Sequence, residues 1–544
     1  MLRSLLSRVM LRPARDSRQL RERARAAANA GDLRGAGALL ERALALDPRS
    51  PETHSDLGNV HLLLGEETAA EGRYTAALAL SERHAPALAN LGLLFARRGD
   101  RPAALGCFRR AVRAEPWSAP AIRSLVDWSP DDAVPREDIA LMREIAERFP
   151  DHAVAHAALG CLLMRGTFDA APALAALERA VSLGHSDADT FAAYGVALHE
   201  VGRMEDALAA YETARALDPQ HVGARFHRAI TLLTLGRLAE AWPDYELRLL
   251  SEDRPRRAVP LPRWNGERLA GKTILVYAEQ GIGDEILFAS CFPDLIAAAR
   301  HCVIDCAPKL EALFRRSFPA ATVRGGRQDE PVDWALPLGI DVQSPAGSLP
   351  LQLRATGAAF PVRHGYLQAD PAKVARWCER LAALGPGRTV GVSWRGGTPR
   401  TRSERRSLQL ADLAPILRAP GFHFVSVQYG PDAAAELERY AAESGLRVHH
   451  WPEAIDDFDE TAALVTALDG IVSVCTTIVH LGGALGRPVL VATPRVAEWR
   501  YGAAGDRMPW YQSVRLIRQS GEGGWSAVMD AIQSELVAFG EGRA

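Results

Sequence analysis

The sequence predicts an α-solenoid of short helical repeats followed by an α/β half of two Rossmann-like lobes. Three observations carry that prediction. Residue classes recur through the first half at a spacing of about 34 residues, a helical-repeat period. After Glu252 the period changes, and short apolar runs alternate with longer helical stretches, the signature of parallel α/β sheets. That second pattern runs for about 290 residues, more than one simple doubly wound unit of roughly 150 residues fills.

In the first half, Leu57-Gly58, Ala70, Tyr74 and Ala77 are echoed by Leu91-Gly92, Ala104, Phe108, Ala111 and Pro116. Tyr194-Gly195, Ala207, Tyr211, Ala214 and Pro219 repeat them again. Spacing and residue classes are those of tetratricopeptide repeats. In each hairpin a small residue lets one helix approach the other, an aromatic fills the gap, and proline stops the second helix. Units opening at Ser17, Pro51, Ala85, Ala119, Ala153, Ala188 and Val222 stay in phase, with one extra residue in the turn of the fifth. The fourth is degenerate but keeps Pro150, and the last, through Ala241, Tyr245 and Arg248, reads as a cap. The expected organisation is an N-terminal arm over 1–16, about seven repeats over 17–252 and a linker over 253–272. Lobes over 273–372 and 373–544, hinged near 370–377, complete it. Stacked repeats bury a continuous core and offer a concave groove, so the expected partner is a protein, with oligomer formation through the repeats also open. Asn59 and Asn90 lie in the first helices of successive units. Two residues make no amide ladder, so a bound polypeptide must be gripped by other side chains.

Composition excludes several classes. A hydrophobic share of 48% supports a full core, and a net charge of −2 gives no global pull towards nucleic acid or anionic lipid. No run of about 18 apolar residues marks a membrane span, and residues 1–12 lack the apolar stretch of a secretory signal. A cytoplasmic protein is expected. The seven cysteines are scattered without a CxxC pair, which indicates neither a disulfide framework nor a zinc knuckle. Of the 64 basic residues 61 are arginine. Between 391 and 410, Arg395, Arg400, Arg402, Arg405 and Arg406 face one acid in sequence, Glu404, and this stretch reads as a local anion site.

In the second half, 273–277, 301–305, 389–394, 423–428, 470–474 and 488–492 read as buried strands. Ligands of such lobes sit at the carboxyl ends of the strands. Gly281-Ile282-Gly283 is half of a dinucleotide fingerprint, and no acid is placed for a nicotinamide ribose. Asp457-Phe458-Asp459 carries the DxD letters of metal-dependent sugar transferases, but it leads into a helix rather than ending a strand. No metal is expected. Trp499-Arg500-Tyr501 and Trp510-Tyr511 read as packing between lobes.

Two stretches resemble motifs of heptosyltransferase-like glycosyltransferases. The first is Ala278-Glu279-Gln280-Gly281-Ile282-Gly283-Asp284. The second is Ser473-Val474-Cys475-Thr476-Thr477-Ile478-Val479-His480-Leu481-Gly482-Gly483-Ala484-Leu485-Gly486-Arg487-Pro488. Between them Gly391-Val392-Ser393-Trp394, Arg406-Ser407, Val427-Gln428-Tyr429-Gly430-Pro431 and Thr461-Ala462 fall in matching order. With its repeats, the whole chain looks like the bacterial proteins that fuse tetratricopeptide repeats to such a domain, flagellin glycosyltransferases among them. The resemblance implies the two-lobed GT-B fold. It also implies metal-independent, inverting transfer of a sugar from a nucleotide sugar to Ser or Thr of a protein acceptor, with flagellin the first to try. No cofactor is implied beyond the nucleotide-sugar co-substrate.

Such transfer must deprotonate the acceptor, pass through a cation-like sugar and stabilise a departing phosphate. Asp284, on a glycine-flanked turn at a strand end, is the candidate base, the role its counterpart holds in the resembling family. Glu279 and Glu285 are in reserve, with Gln280 and Gly283 on the same acceptor-side turn. An N-cap for a helix starting at Glu285 is the structural alternative for Asp284. Donor contacts are expected from Arg395, Arg406, Gln428, Thr476, Thr477, His480 and Gly482. Thr476 and Thr477 open a helix, whose free N–H groups and positive dipole end suit phosphate, and arginine forks bind phosphate bidentately. The family carries an aspartate where Cys475 stands. That difference keeps open a non-catalytic repeat scaffold with a decayed transferase domain, and an enzyme acting on lipopolysaccharide-type carbohydrate is the third reading.

Overall fold

The computed structural model describes residues 2–130, 133–167, 169–250, 257–397, 403–521 and 524–540. The chain separates into two compact units, Met1–Leu198 and His199–Ala544.

In the first unit, antiparallel helix pairs follow one another: Pro51–Leu63 with Glu67–Leu80, Ala85–Arg97 with Arg101–Ala114, and Ala153–Gly166 with Ala170–Ser182, while Ala119–Trp128 and Arg136–Arg148 of the fourth unit both pack on Ala153–Gly166. Their first helices begin at the residues that the repeat phase assigns. The glycine–aromatic logic is literal: a Cβ at Gly58 would lie 2.5 Å from the Tyr74 ring, and one at Gly92 would lie 2.6 Å from the Phe108 ring. Tyr74 also donates to Asn59 Oδ1 at 2.8 Å, and Asn90 donates to the same atom at 2.7 Å. The two asparagines thus bond each other across repeats. The arm expected over 1–16 is not separate, because one helix runs Leu2–Asn29 through the boundary; its leucines and arginines are good helix formers.

The second unit opens on the end of the helix Ala188–Glu200, followed by Met204–Leu217, Val222–Thr234 and Leu238–Tyr245. These helices do not stand apart from the α/β half. Leu208, Leu232, Trp242 and Tyr245 share one buried core with Ile274, Val276, Phe288 and Trp499, so a cut near residue 250 would expose indole and phenol rings that the sheets now cover.

The first sheet has strands β1 (Thr273–Tyr277), β2 (His301–Cys306), β3 (Thr322–Gly325) and β4 (Val342–Pro345), in the order β3-β2-β1-β4 and all parallel. The second contains β5 (Arg388–Ser393), β6 (Phe422–Ser426), β7 (Gly470–Val474), β8 (Val489–Thr493), β9 (Arg507–Met508) and β10 (Tyr511–Arg518). Its order is β6-β5-β7-β8-β10-β9, parallel except for the β9–β10 edge. Both are Rossmann-like lobes. Buried on both faces, the strands read as continuous apolar runs, and alternate residues serve different cores: Ile471, Val489 and Val491 one, Val472, Val474 and Ala492 the other. The segment expected as a hinge near 370–377 is instead the start of a helix, Pro371–Ala382, whose first N–H groups are capped by Asp370.

Candidate active site

Two strand-to-helix turns, one from each lobe, build the centre. After β1 the chain passes through Ala278-Glu279-Gln280 into the helix Ile282–Ala289, with Gly281 as its N-cap. Asp284 is therefore the third helical residue. The alternative of an N-cap aspartate before a helix starting at Glu285 is corrected: extended backbone at Gly281 starts the helix three residues earlier. The Asp284 carboxylate meets Arg500, whose Nε lies 2.5 Å from Oδ1 and whose Nη2 pairs with the same oxygen.

After β7, Thr476 caps the helix Thr477–Ala484, its hydroxyl accepting from the Ile478 N–H at 3.2 Å and bonding Ser473 Oγ at 3.1 Å. The turns touch at Gly283, where a Cβ would lie 3.2 Å from His480 Cδ2 and 3.4 Å from Thr477 Oγ1. Glycine is what permits this approach. The loop after β5 closes on the same place, since a Cβ at Gly396 would lie 2.5 Å from Thr476 Cγ2.

The residues expected to contact a donor are more tightly engaged than the sequence indicates. Arg406 pairs with Glu498 and donates to the Cys475 carbonyl at 3.4 Å. Arg395 pairs with Glu436 at 2.8 Å, and Arg405 with Glu200 at 2.8 Å. Arg400 and Arg402 lie outside the described residues. The reading of five arginines against one acid is corrected by these partners: the counter-charges come from Glu200, Glu436 and Glu498, distant in sequence. Gln428 is buried, and its Oε1 accepts from the Trp394 and Arg395 N–H groups at 3.0 and 2.8 Å and from Ser393 Oγ at 3.1 Å, while Nε2 donates to the Tyr429 carbonyl. It shapes the loop after β5 from inside. Gly482 faces the sheet, where a Cβ would meet Val489 and Ile471 within 2.8 Å. His480 is buried, with Nδ1 3.2 Å from the Tyr511 hydroxyl. Burial, with Arg500 and Arg406 nearby, lowers its pKa to about 3, so the imidazole is neutral.

On the acceptor-side turn, Glu279 is held by Arg248, whose Nε and Nη2 lie 3.0 and 2.9 Å from its Oε1. Arg248 is itself buried and also binds Glu246 and Ser348 at 2.8 Å each. Gln280 donates to the Tyr245 hydroxyl at 3.1 Å. The last repeat therefore clamps the residues just before Asp284. Glu285 points into the lobe, 3% exposed, its Oε2 accepting from the Ala307 N–H at 2.9 Å and its Oε1 without a partner. Burial pushes its pKa up to about 8, with Glu279, Asp284 and Asp305 adding to the rise. Glu279 is ion-paired, as Asp284 is with Arg500, and Glu285 is enclosed.

Asp457 caps the helix Phe458–Ala467, while Asp459 takes both prongs of Arg316 at 3.0 Å and Lys373 at 3.0 Å. Those DxD letters thus serve a cap and an ion pair. Among the described residues no group of three or more His, Cys, Asp or Glu is arranged to hold a metal ion, and no helix is long and apolar enough to cross a membrane. Trp499 packs edge-on against Trp242, Tyr245 and Trp510, with centroids 5.9, 5.7 and 6.3 Å away. Arg500, between two such aromatics in sequence, is the residue that reading for packing passes over.

Residues 21–82, 87–118 and 195–257 match models of the tetratricopeptide repeat. Among solved structures, the chain resembles PilF of Pseudomonas aeruginosa at 17% identity, covering 40% of this chain and 98% of that one with a TM-score of 0.32. A tetratricopeptide repeat protein from Parabacteroides merdae gives 16% identity over 43% of this chain and 91% of that one, with a TM-score of 0.32. Protein FlbA of Caulobacter vibrioides is 32% identical over 422 residues, 74% of this chain and 70% of FlbA. At that identity and coverage, with the repeats and the α/β half joined in one polypeptide, the chain belongs to the family of FlbA.

Proposed function

We propose that the α/β half is a GT-B glycosyltransferase, metal-independent and inverting, that moves a sugar from a nucleotide sugar to a hydroxyl of a protein held by the repeats. The observation that supports this reading is the contact of Gly283, the residue before Asp284 in one lobe, with Thr477 and His480 at the helix start of the other. Asp284 would take the proton from the acceptor hydroxyl as its oxygen bonds the anomeric carbon. The bond from that carbon to the diphosphate breaks on the opposite face, and its electron pair leaves with the phosphate. Backbone N–H groups at the helix start favour that charge. Arg406 and Arg395 would join them by exchanging Glu498 and Glu436 for phosphate oxygens, a charge-assisted swap.

The test is a panel of ADP-, UDP-, GDP-, dTDP- and CMP-linked sugars with the full-length protein and flagellin as the first acceptor. One donor should give nucleotide release and a mass increase on Ser or Thr. Cys475, a neutral buried thiol where the resembling family has a carboxylate, favours the scaffold reading instead. Under that reading a donor binds, or none does, and no nucleotide is released.

A further inference from the structure

Asp284 and Arg500 come from different lobes. Asp284 stands in the helix after β1, whereas Arg500 lies in the short turn Trp499–Tyr501, between β8 and β9. That turn is held on several sides. Trp499 is buried against Trp242, Tyr245, Phe288 and Trp510, and the Arg500 guanidinium carbon lies 4.8 Å from its ring centroid. The Tyr501 N–H donates to the Glu498 carbonyl at 2.9 Å, and the Ala503 N–H donates to the Thr234 carbonyl at 2.8 Å. From this anchored turn Arg500 grips one side of the carboxylate. Its Nε and its Nη2 both meet Oδ1 of Asp284. Among the described residues no hydrogen bond reaches Oδ2. The side chains of Arg500 and Asp284 are 19% and 17% exposed, so solvent reaches the pair. One carboxylate oxygen is thus occupied, and the other keeps its lone pairs unspent.

We propose that Arg500 is a positioning residue for the transfer, holding Asp284 by Oδ1 so that Oδ2 is the oxygen that takes the acceptor proton. This role rests on the transferase reading and adds to it the reacting atom and what aims it. The acceptor O–H bond breaks and its proton passes to Oδ2 while the acceptor oxygen bonds the anomeric carbon. The bond from that carbon to the diphosphate breaks, and its electron pair leaves with the phosphate. Asp284 is then a neutral acid and returns the proton to water. The guanidinium stays charged throughout, and its two contacts on Oδ1 keep the carboxyl from rotating. Arg500 also belongs to the lobe that carries Thr476 and Thr477. The base is therefore aimed from the lobe that would seat the phosphate, and the two ends of the reaction share one frame.

The test uses the full-length protein, Arg500→Gln, Arg500→Lys, and Arg500→Gln combined with Asp284→Ala, with circular dichroism as the check on folding. Nucleotide release is measured with the donor that the panel identifies, and binding with the matching nucleotide alone. Arg500→Gln should lower kcat by roughly 10–100-fold, the cost of a misaimed base. Its affinity for the nucleotide should stay within about threefold, because the arginine acts on Asp284 and not on phosphate. Arg500→Lys keeps the charge without the fork and should fall between Arg500→Gln and the unaltered protein; it carries the comparison if Arg500→Gln does not fold. In the Asp284→Ala background, Arg500→Gln should change turnover by less than about twofold, since residues that act as one unit are not additive. A further loss on the order of tenfold in that background overturns the proposal, because Arg500 then acts on something other than Asp284. An affinity for nucleotide that falls together with turnover places Arg500 on phosphate and overturns it too. So does a folded Arg500→Gln protein with normal turnover. If the unaltered protein releases no nucleotide from any donor, the transferase reading fails and this role with it, whereas the other failures leave that reading intact.

Discussion

The turns after β1 and β7 have the same architecture and opposite chemistry. Each leaves the carboxyl end of a parallel strand and enters a helix of eight residues. The β1 turn has a glycine N-cap without a side-chain cap and carries two adjacent acids, Asp284 and Glu285, in its first helical turn. The β7 turn is capped by the Thr476 hydroxyl and has no acid in its first helical turn. Negative charge at a helix start is favoured by the dipole. In the first turn Asp284 supplies that charge; in the second no side chain does. Under the proposed function the pair is a base facing an anion seat, and substitutions at three positions can break or sharpen that contrast.

The largest effect is expected from Asp284→Ala. If the β1 turn supplies the general base, turnover should fall by about 10²–10⁴-fold, while donor affinity measured by thermal shift stays within about threefold, a difference well under 1 kcal/mol. Arg500 would lose its carboxylate partner at Asp284, so circular dichroism must show the fold retained. Unchanged turnover removes Asp284 as base. Glu285 is enclosed and Glu279 is ion-paired as Asp284 is, so Glu279→Ala is the control that separates the two.

The repeats and the turns differ in how far sequence reveals them. Gly58 with Tyr74 and Gly92 with Phe108 report a local packing rule at a fixed spacing, so the hairpins could be read residue by residue. The helix start at Thr476-Thr477 is equally legible, because strand and helix are contiguous. Arg500, Arg248 and Glu498 were not. Arg500 reaches Asp284 across 216 positions and Arg248 reaches Glu279 across 31, and no local period encodes either partnership. The same blindness made the arginines near 400 look unopposed. β10, an eight-residue strand, also escaped notice; Gln512, Arg515 and Arg518 break its apolar run, and it becomes a strand because β8 pairs with it. Charge counted along a chain measures composition, whereas the field at a site depends on which distant segments fold beside it.

The second effect concerns pH. Glu285 is held protonated in the folded protein, its pKa raised from 4.5 to about 8 by burial. Between those values the folded state holds a proton that the unfolded state has lost. Stability is then fully expressed below about pH 4.5 and falls as pH rises through the window to about 8. Glu285→Gln mimics the neutral acid and should flatten that part of the profile, with a gain on the order of a few kcal/mol at pH 8. Chemical denaturation at pH 5.5 and 8, roughly the two sides of the window, reads the difference. If the pH dependence is the same in both proteins, Glu285 is not the titrating group. The helix after β7 works in the opposite sense: His480, lowered from 6.5 to about 3 by burial, adds stability as pH rises towards 6.5.

The smallest effect is the one that isolates the β7 turn. Thr476→Ala removes the oxygen that accepts from the Ile478 N–H and bonds Ser473, and loss of an N-cap costs about 1 kcal/mol. Thr476→Ser keeps the oxygen and should recover most of it, because serine caps as well as threonine. The informative comparison is with ligand present. An anion seated at the helix start can itself satisfy exposed N–H groups, so saturating nucleotide sugar should narrow the gap between Thr476→Ala and the unaltered protein. If the cap is only structural, the gap in melting temperature stays the same with and without donor. A gap that closes with donor but not with the free sugar puts the phosphate at this turn. That result would also separate the roles of the two turns without relying on turnover.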